Sequence, residues 1–183
     1  MQTKIYPILF YIGKGIWADR VVRWWTKSMI SHTELGRSDG LFHSNDRFHR
    51  RSRLTSLTPC ANEWIIIELE LPVEIMKIVE QEQEKRIGTG YDWLGIICTH
   101  GLGISWHSKR RWFCSKSNVH DLVRARELMM LSPQKYRLFI EVLEPFGRIP
   151  AHFVTPARLY TMARLAKQRQ QRRLCRLSNE TLS

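Results

Sequence analysis

The stretch Trp64 to Leu71, WIIIELEL, constrains this chain most. Its run of isoleucines and the apolar–acidic alternation that follows predict the best strand in the sequence. A strand needs partners, since its backbone groups must pair. Ile5 to Ile12 supplies one apolar candidate. Ser31 to Leu35 and Gly40 to Ser44 supply two short ones around the turn signal Ser38-Asp39-Gly40. His43 to Arg53 is polar and basic and reads as a loop.

Helical spacing appears elsewhere. Trp17, Val21, Trp24 and Trp25 repeat within Ile16 to Met29 as on an amphipathic helix. Pro72 opens a helix with Ile75, Ile78 and Val79 on one face, and Gly88 to Gly90 ends it. Tyr91 to His100 reads as helical, followed by a loop rich in Gly, Ser and basic residues. Val119, Leu122 and Val123 mark a further helix that starts close to Cys114. Ser132-Pro133 and Thr155-Pro156 have the form of N-cap plus N1 pairs. Between them, Tyr136 to Leu143 is open between helix and strand. The expectation is an α+β domain over residues 1–150 and a basic helical extension over residues 151–183.

Composition bounds the partners. With 183 residues, 43% of them apolar, the chain can bury a real core. Its formal net charge of +12 calls for an anionic partner: nucleic acid, a membrane surface or an acidic wall polymer. Arg158, Arg164, Lys167, Arg169, Arg172, Arg173 and Arg176 concentrate charge near the end, with no acid among them. No apolar run is long enough to span a bilayer. Met1 to Ile12 reads as a first strand and not as a signal peptide. Synthesis in the cytoplasm, with delivery by a phage particle, lysis machinery or a secretion system, is the matching expectation. Cys60, Cys98, Cys114 and Cys175 show no CxxC spacing. Neither a zinc site, a disulfide framework nor any other cofactor is expected.

Cys114 stands in Trp112-Phe113-Cys114-Ser115-Lys116-Ser117-Asn118, just before a helix. The partial positive charge at a helix N-terminus favours a thiolate, and Lys109, Arg110, Arg111 and Lys116 push the same way. The competing reading is a buried small hydrophobe. A nucleophilic thiol needs a base, and the base needs a third group to fix its tautomer. His32 begins the strand Ser31 to Leu35, and Glu34 shares its face because side chains alternate. His43, beyond the turn, is the other candidate to orient His32. His49, His100, His107, His120 and His152 have no metal-ligand spacing, and Asp46 and Asp92 have no recognisable carboxylate partner. Trp24-Trp25, Trp106 and Trp112 suit a sugar-stacking or membrane-facing surface, or plain core.

Together these segments resemble NlpC-type papain-like peptidases. That family carries a Tyr-x-Trp-Gly-like segment, then Asp-Cys-Ser at a helix start, then a strand beginning with His. Here Tyr91-Asp92-Trp93-Leu94-Gly95 and Phe113-Cys114-Ser115 are present, but Ser-His-Thr-Glu-Leu comes first. That order is similar to the circularly permuted branch, which includes YiiX-like and lecithin:retinol acyltransferase-like proteins. Thr26 to Leu35 matches a Thr-x-Ser-x-x-Ser-His-x-Glu-Leu segment of bacterial and phage members, and the likeness runs from about Ile5 to Leu122. Many permuted relatives read Cys-Ser-Glu where this chain has Lys116.

The resemblance implies an antiparallel sheet or small barrel packed on helices, with the nucleophile at a helix N-terminus. It implies Cys114 as nucleophile and His32 as base, with His43 slightly ahead of Glu34 as the orienting residue. Tyr91 would line the site and help polarise the carbonyl, beside the Cys114 backbone N–H. The implied activity is cleavage of an amide in bacterial peptidoglycan, with lipid ester hydrolysis or acyl transfer as the alternative. A basic module binding membrane or nucleic acid is the non-enzymatic rival, although no nucleic-acid motif supports the latter. A protein that kept the fold and lost activity is a third, hinted at only by Lys116.

Overall fold

In the computed structural model, which describes residues 1–46, 50–96, 108 and 111–180, the two long apolar strands pair with each other along their whole length. Strand β1 (Thr3–Tyr11) is followed by α1 (Trp17–Thr26), then β2 (His32–Gly36), β3 (Phe42–Asp46), β4 (Arg51–Thr55) and β5 (Trp64–Pro72). Helices α2 (Val73–Glu84), α3 (Trp93–Ile96), α4 (Cys114–Met130) and α5 (Pro133–Leu143) come next. Two 3-10 turns, Glu144–Arg148 and Ala151–Phe153, lead into α6 (Pro156–Glu180). The fold is α+β.

The sheet is antiparallel, five-stranded and open, in the order β4-β3-β2-β1-β5. It therefore has two edges and is not the small closed barrel held as an alternative. Each edge is blunted by its own chemistry. The β4 edge carries Arg51 and Arg53. At the β5 edge the Gln170 amide reaches across from α6, accepting from the Glu70 N–H at 3.2 Å and donating to its carbonyl at 2.8 Å.

Period-two alternation puts Tyr6, Ile8 and Phe10 of β1, Leu35 of β2, and Ile67, Leu69 and Leu71 of β5 into one buried cluster. Met76 and Val79 of α2, Val119, Leu122, Ala125 and Met129 of α4, and Leu143 at the end of α5 cover them. Each such side chain contributes about 1.5–3 kcal/mol of burial. The same cluster includes Leu159, Met162, Ala163 and Ala166 of α6, so the segment after residue 150 shares the core of the rest.

Two local expectations change, and one open reading resolves. His43 to Arg53 contains parts of β3 and β4 where a loop was expected, because Ser44, Asn45 and Ser52 are buried polar residues that pattern reading takes as solvated. Ile78, expected on the inner face of α2, is exposed, and Met76 takes its place. Tyr136 to Leu143 is helical. Thr155 caps α6 as expected, its hydroxyl accepting from the Arg158 N–H at 3.2 Å. Of the expected helix over Tyr91 to His100, only α3 lies within the described residues. His49, Cys98, His100, Trp106, His107, Lys109 and Arg110 lie outside them.

Candidate active site

Helix α4 begins at Cys114 because Phe113 is extended (φ −124°, ψ 163°) and the Ser117 N–H bonds back to the Phe113 carbonyl at 3.0 Å. The next four side chains are polar and all buried. Each is tied in a different direction. The Ser115 hydroxyl donates to the Val154 carbonyl at 2.6 Å. The Lys116 ammonium donates to the Ser108 and Arg111 carbonyls at 2.6 and 2.8 Å and pairs with Asp92 at 3.3 Å. Ser117 accepts from Arg86 at 3.2 Å, and the Asn118 amide donates to Thr33 Oγ1 at 3.0 Å. Those bonds fix the rotation of the first turn, and with it the direction of the Cys114 sulfur.

Thr33 is the neighbour of His32, so the last bond also draws β2 toward the helix start. The Cys114 thiol hydrogen-bonds to the His32 imidazole. His32 Nε2 lies 3.3 Å from Glu34 Oε1, as alternation along β2 predicts. His32 and Glu34 are both largely shielded from solvent. Burial opposes protonation of His32. The charge and hydrogen bond of Cys114, with those of Glu34, outweigh it and push the imidazole up to about 10.

The register places His32, Tyr11 and Trp64 in one row across β2, β1 and β5. The Tyr11 and Trp64 rings lie 5.0 Å apart, and the His32 ring meets Trp64 edge-on at 6.5 Å. They form an aromatic wall beside the imidazole. On its other side Cys114 lines a small apolar pocket with Val22, Trp25, Tyr91, Ile96 and Phe113. Tyr91 is buried there. Cys114, His32, Glu34 and Tyr91 are thus gathered in one place.

His43 is not. The pairing Leu35↔His43 puts it on the face of the sheet opposite to His32 and Glu34. It is fully buried, with Nε2 at 2.8 Å from Ser52 Oγ and Nδ1 at 3.7 Å from Asp121. Burial, helped by the charges of Arg86 and Arg37 and opposed by Asp121, holds its imidazole down at about 4. Gln83 and Arg86 both donate to Asp121, closing a polar network behind α4. His43 therefore cannot orient His32.

The remaining candidates have local partners. Asp92 accepts from the Gly95 and Ser108 N–H groups, each at 3.1 Å, besides pairing with Lys116. His120 meets Trp112 edge-on, and His152 lies tilted against Phe153. Cys60 and Cys175 are exposed. Among the described residues, no group of His, Cys, Asp and Glu is arranged to hold a metal ion, and no helix is long and apolar enough to cross a membrane. Sequence reasoning missed Asn118 and Trp64 as site residues, and read Lys116 as a charge beside the thiol where the structure pairs it with Asp92. The polar run after Cys114 was the available signal, since such a run is unusual in the first turn of a helix that packs against a sheet.

The chain matches no protein-family model, and no curated protein matches it closely enough to establish kinship.

Proposed function

We propose that this protein is a cysteine hydrolase that cleaves an amide through an acyl-enzyme on Cys114. The contact between the Cys114 thiol and the His32 imidazole carries the reading, since 82 positions of chain separate residues 32 and 114. Glu34 at the His32 ring supports it, by stabilising the imidazolium. The likeness to circularly permuted NlpC-type papain-like enzymes agrees with a nucleophile at a helix start and a base at a strand start.

In this mechanism the thiolate attacks the carbonyl carbon and the carbonyl π-pair moves to oxygen. The backbone N–H of Cys114, at the first position of α4, would donate to that oxyanion. Imidazolium His32 gives its proton to the departing amine as the C–N bond breaks, which leaves a thioester. Neutral His32 then takes a proton from water, whose hydroxide adds to the thioester and releases the acid and the sulfur.

The first-choice substrate is a stem or crosslink amide of bacterial peptidoglycan. The Tyr11–Trp64 wall suits a saccharide or peptide edge, and the net charge of +12 suits an acidic polymer. The apolar pocket of Val22, Trp25, Ile96 and Phe113 beside the sulfur favours a second reading, an ester of an acyl chain. Mass analysis of peptidoglycan fragments and of phospholipids, after incubation with wild type and with Cys114→Ser, separates them. New wall fragments made only by wild type support the amide reading, whereas fatty-acid release alone moves the assignment to lipid. No product from either, with Cys114 alkylated only near the pH of a free thiol, overturns the hydrolase reading.

A further inference from the structure

We infer that the outer face of α1 docks on an anionic bilayer surface. The sequence leaves the tryptophans of this helix between an outward-facing surface and core; Trp17 is 73% and Trp24 81% exposed. Val21 lies between them and is also exposed. At about 100° per residue the three fall within about 60° of arc, as one outward stripe. Met29, just past the helix end, is exposed as well.

The charges around the stripe identify its partner. Lys14, Arg20 and Lys27 are exposed beside it. The single acid in this segment, Asp19, is turned inward and 1% exposed, where it accepts from the Ile16 N–H at 2.9 Å and the Ser31 hydroxyl at 2.6 Å. The outer face therefore presents indole rings and cations with no carboxylate. Tryptophan favours the bilayer interface, and flanking cations add attraction to anionic headgroups. A second copy of the chain would bring like charges together across a twofold contact. The inner side of the same helix supplies Val22 and Trp25 to the pocket at Cys114. Docking would thus set that pocket close to the membrane plane. The inference goes beyond the hydrolase reading and stands without it, because its readout is binding.

The test is co-sedimentation with phosphatidylcholine vesicles, with and without phosphatidylglycerol. Wild type should bind the anionic vesicles only, and less as salt rises. Trp17→Ser with Trp24→Ser should weaken binding at least about tenfold while far-UV circular dichroism is unchanged. Arg20→Glu with Lys27→Glu should weaken it comparably, and it decides the matter should the tryptophan variant unfold. Arg172→Glu, on the exposed side of α6, should bind as wild type does. The proposal is overturned if wild type ignores anionic vesicles, if both α1 variants bind normally, or if Arg172→Glu alone abolishes binding. A dimer that becomes monomeric in the tryptophan variant, with no vesicle binding by wild type, would reassign the face to a second copy.

Discussion

Two histidines on neighbouring strands each sit between a group-16 nucleophile and a carboxylate, and they have opposite fates. His32 lies between Cys114 and Glu34 at the edge of a pocket, and is pushed up to about 10. His43 lies between Ser52 and Asp121 in the interior, and is held at about 4. By residue types alone, Ser52–His43–Asp121 is the more familiar hydrolase set. It has no opening to solvent, since all three side chains are at most 1% exposed, and Arg86 already neutralises its carboxylate. The comparison teaches that access and local charge balance decide whether such a set can act.

The largest expected effect lies at the first set. Cys114→Ser or His32→Ala should lower turnover roughly a thousandfold or more, with far-UV circular dichroism unchanged. If Ser52→Ala matched that loss, the assignments of the two sets would have to be exchanged. His43→Ala should instead cost about 3 kcal/mol in urea unfolding, because Ser52 and Asp121 lose a neighbour inside the core and a cavity is left there. Alkylation of Cys114 below pH 8 should persist in that variant.

The pH dependence of stability should mirror the pair. His43 has a folded value of about 4, below its unfolded value of about 6.5, so the folded state resists the proton. Its contribution is complete above about pH 6.5 and is lost as pH falls toward 4, by about 3 kcal/mol in all. His32, raised to about 10, contributes fully below about pH 6.5 and loses that contribution as pH rises through 10. Urea midpoints across pH for wild type and His43→Gln check the acid limb, which should flatten in the variant.

Glu34→Gln should move the alkylation midpoint of Cys114 up by about one pH unit and slow labelling at neutral pH about tenfold. A merely structural Glu34 would leave that profile in place. The smallest effect should come from Ser52→Ala, which loses one buried hydrogen bond worth about 1 kcal/mol and leaves labelling untouched.

Alternation along β2 made the His32–Glu34 pair legible in the sequence, and the helix starting beside Cys114 made its thiol legible. Pro72, Ser132-Pro133 and Thr155-Pro156 marked three helix starts close to where they fall. The position of His43 depended on hairpin register, where one residue of slip moves a side chain to the other face. A local turn sets Leu35 against His43: the Arg37 N–H donates to the Leu41 carbonyl at 2.9 Å, the Leu41 N–H to Asp39 at 3.0 Å, and Gly40 takes a φ of 82°. The turn signal marked the place and not the number of residues the turn would use. Strand β4 was hidden for a related reason. Arg51-Ser-Arg-Leu-Thr has the composition of a loop, and only its pairing with β3 makes it a strand. The tryptophans of α1 stayed open between surface and core because periodicity reports that a helix has an apolar side, without reporting which way it turns.

The Ser115–Val154 bond ties the turn that bears the sulfur to the peptide just ahead of α6, and Thr155 and Pro156 close the adjoining pocket. The C-terminal helix is for that reason no detachable appendage. A protease nick between residues 150 and 156 would loosen that turn from behind, so the direction of the Cys114 sulfur depends on a segment well outside its own helix.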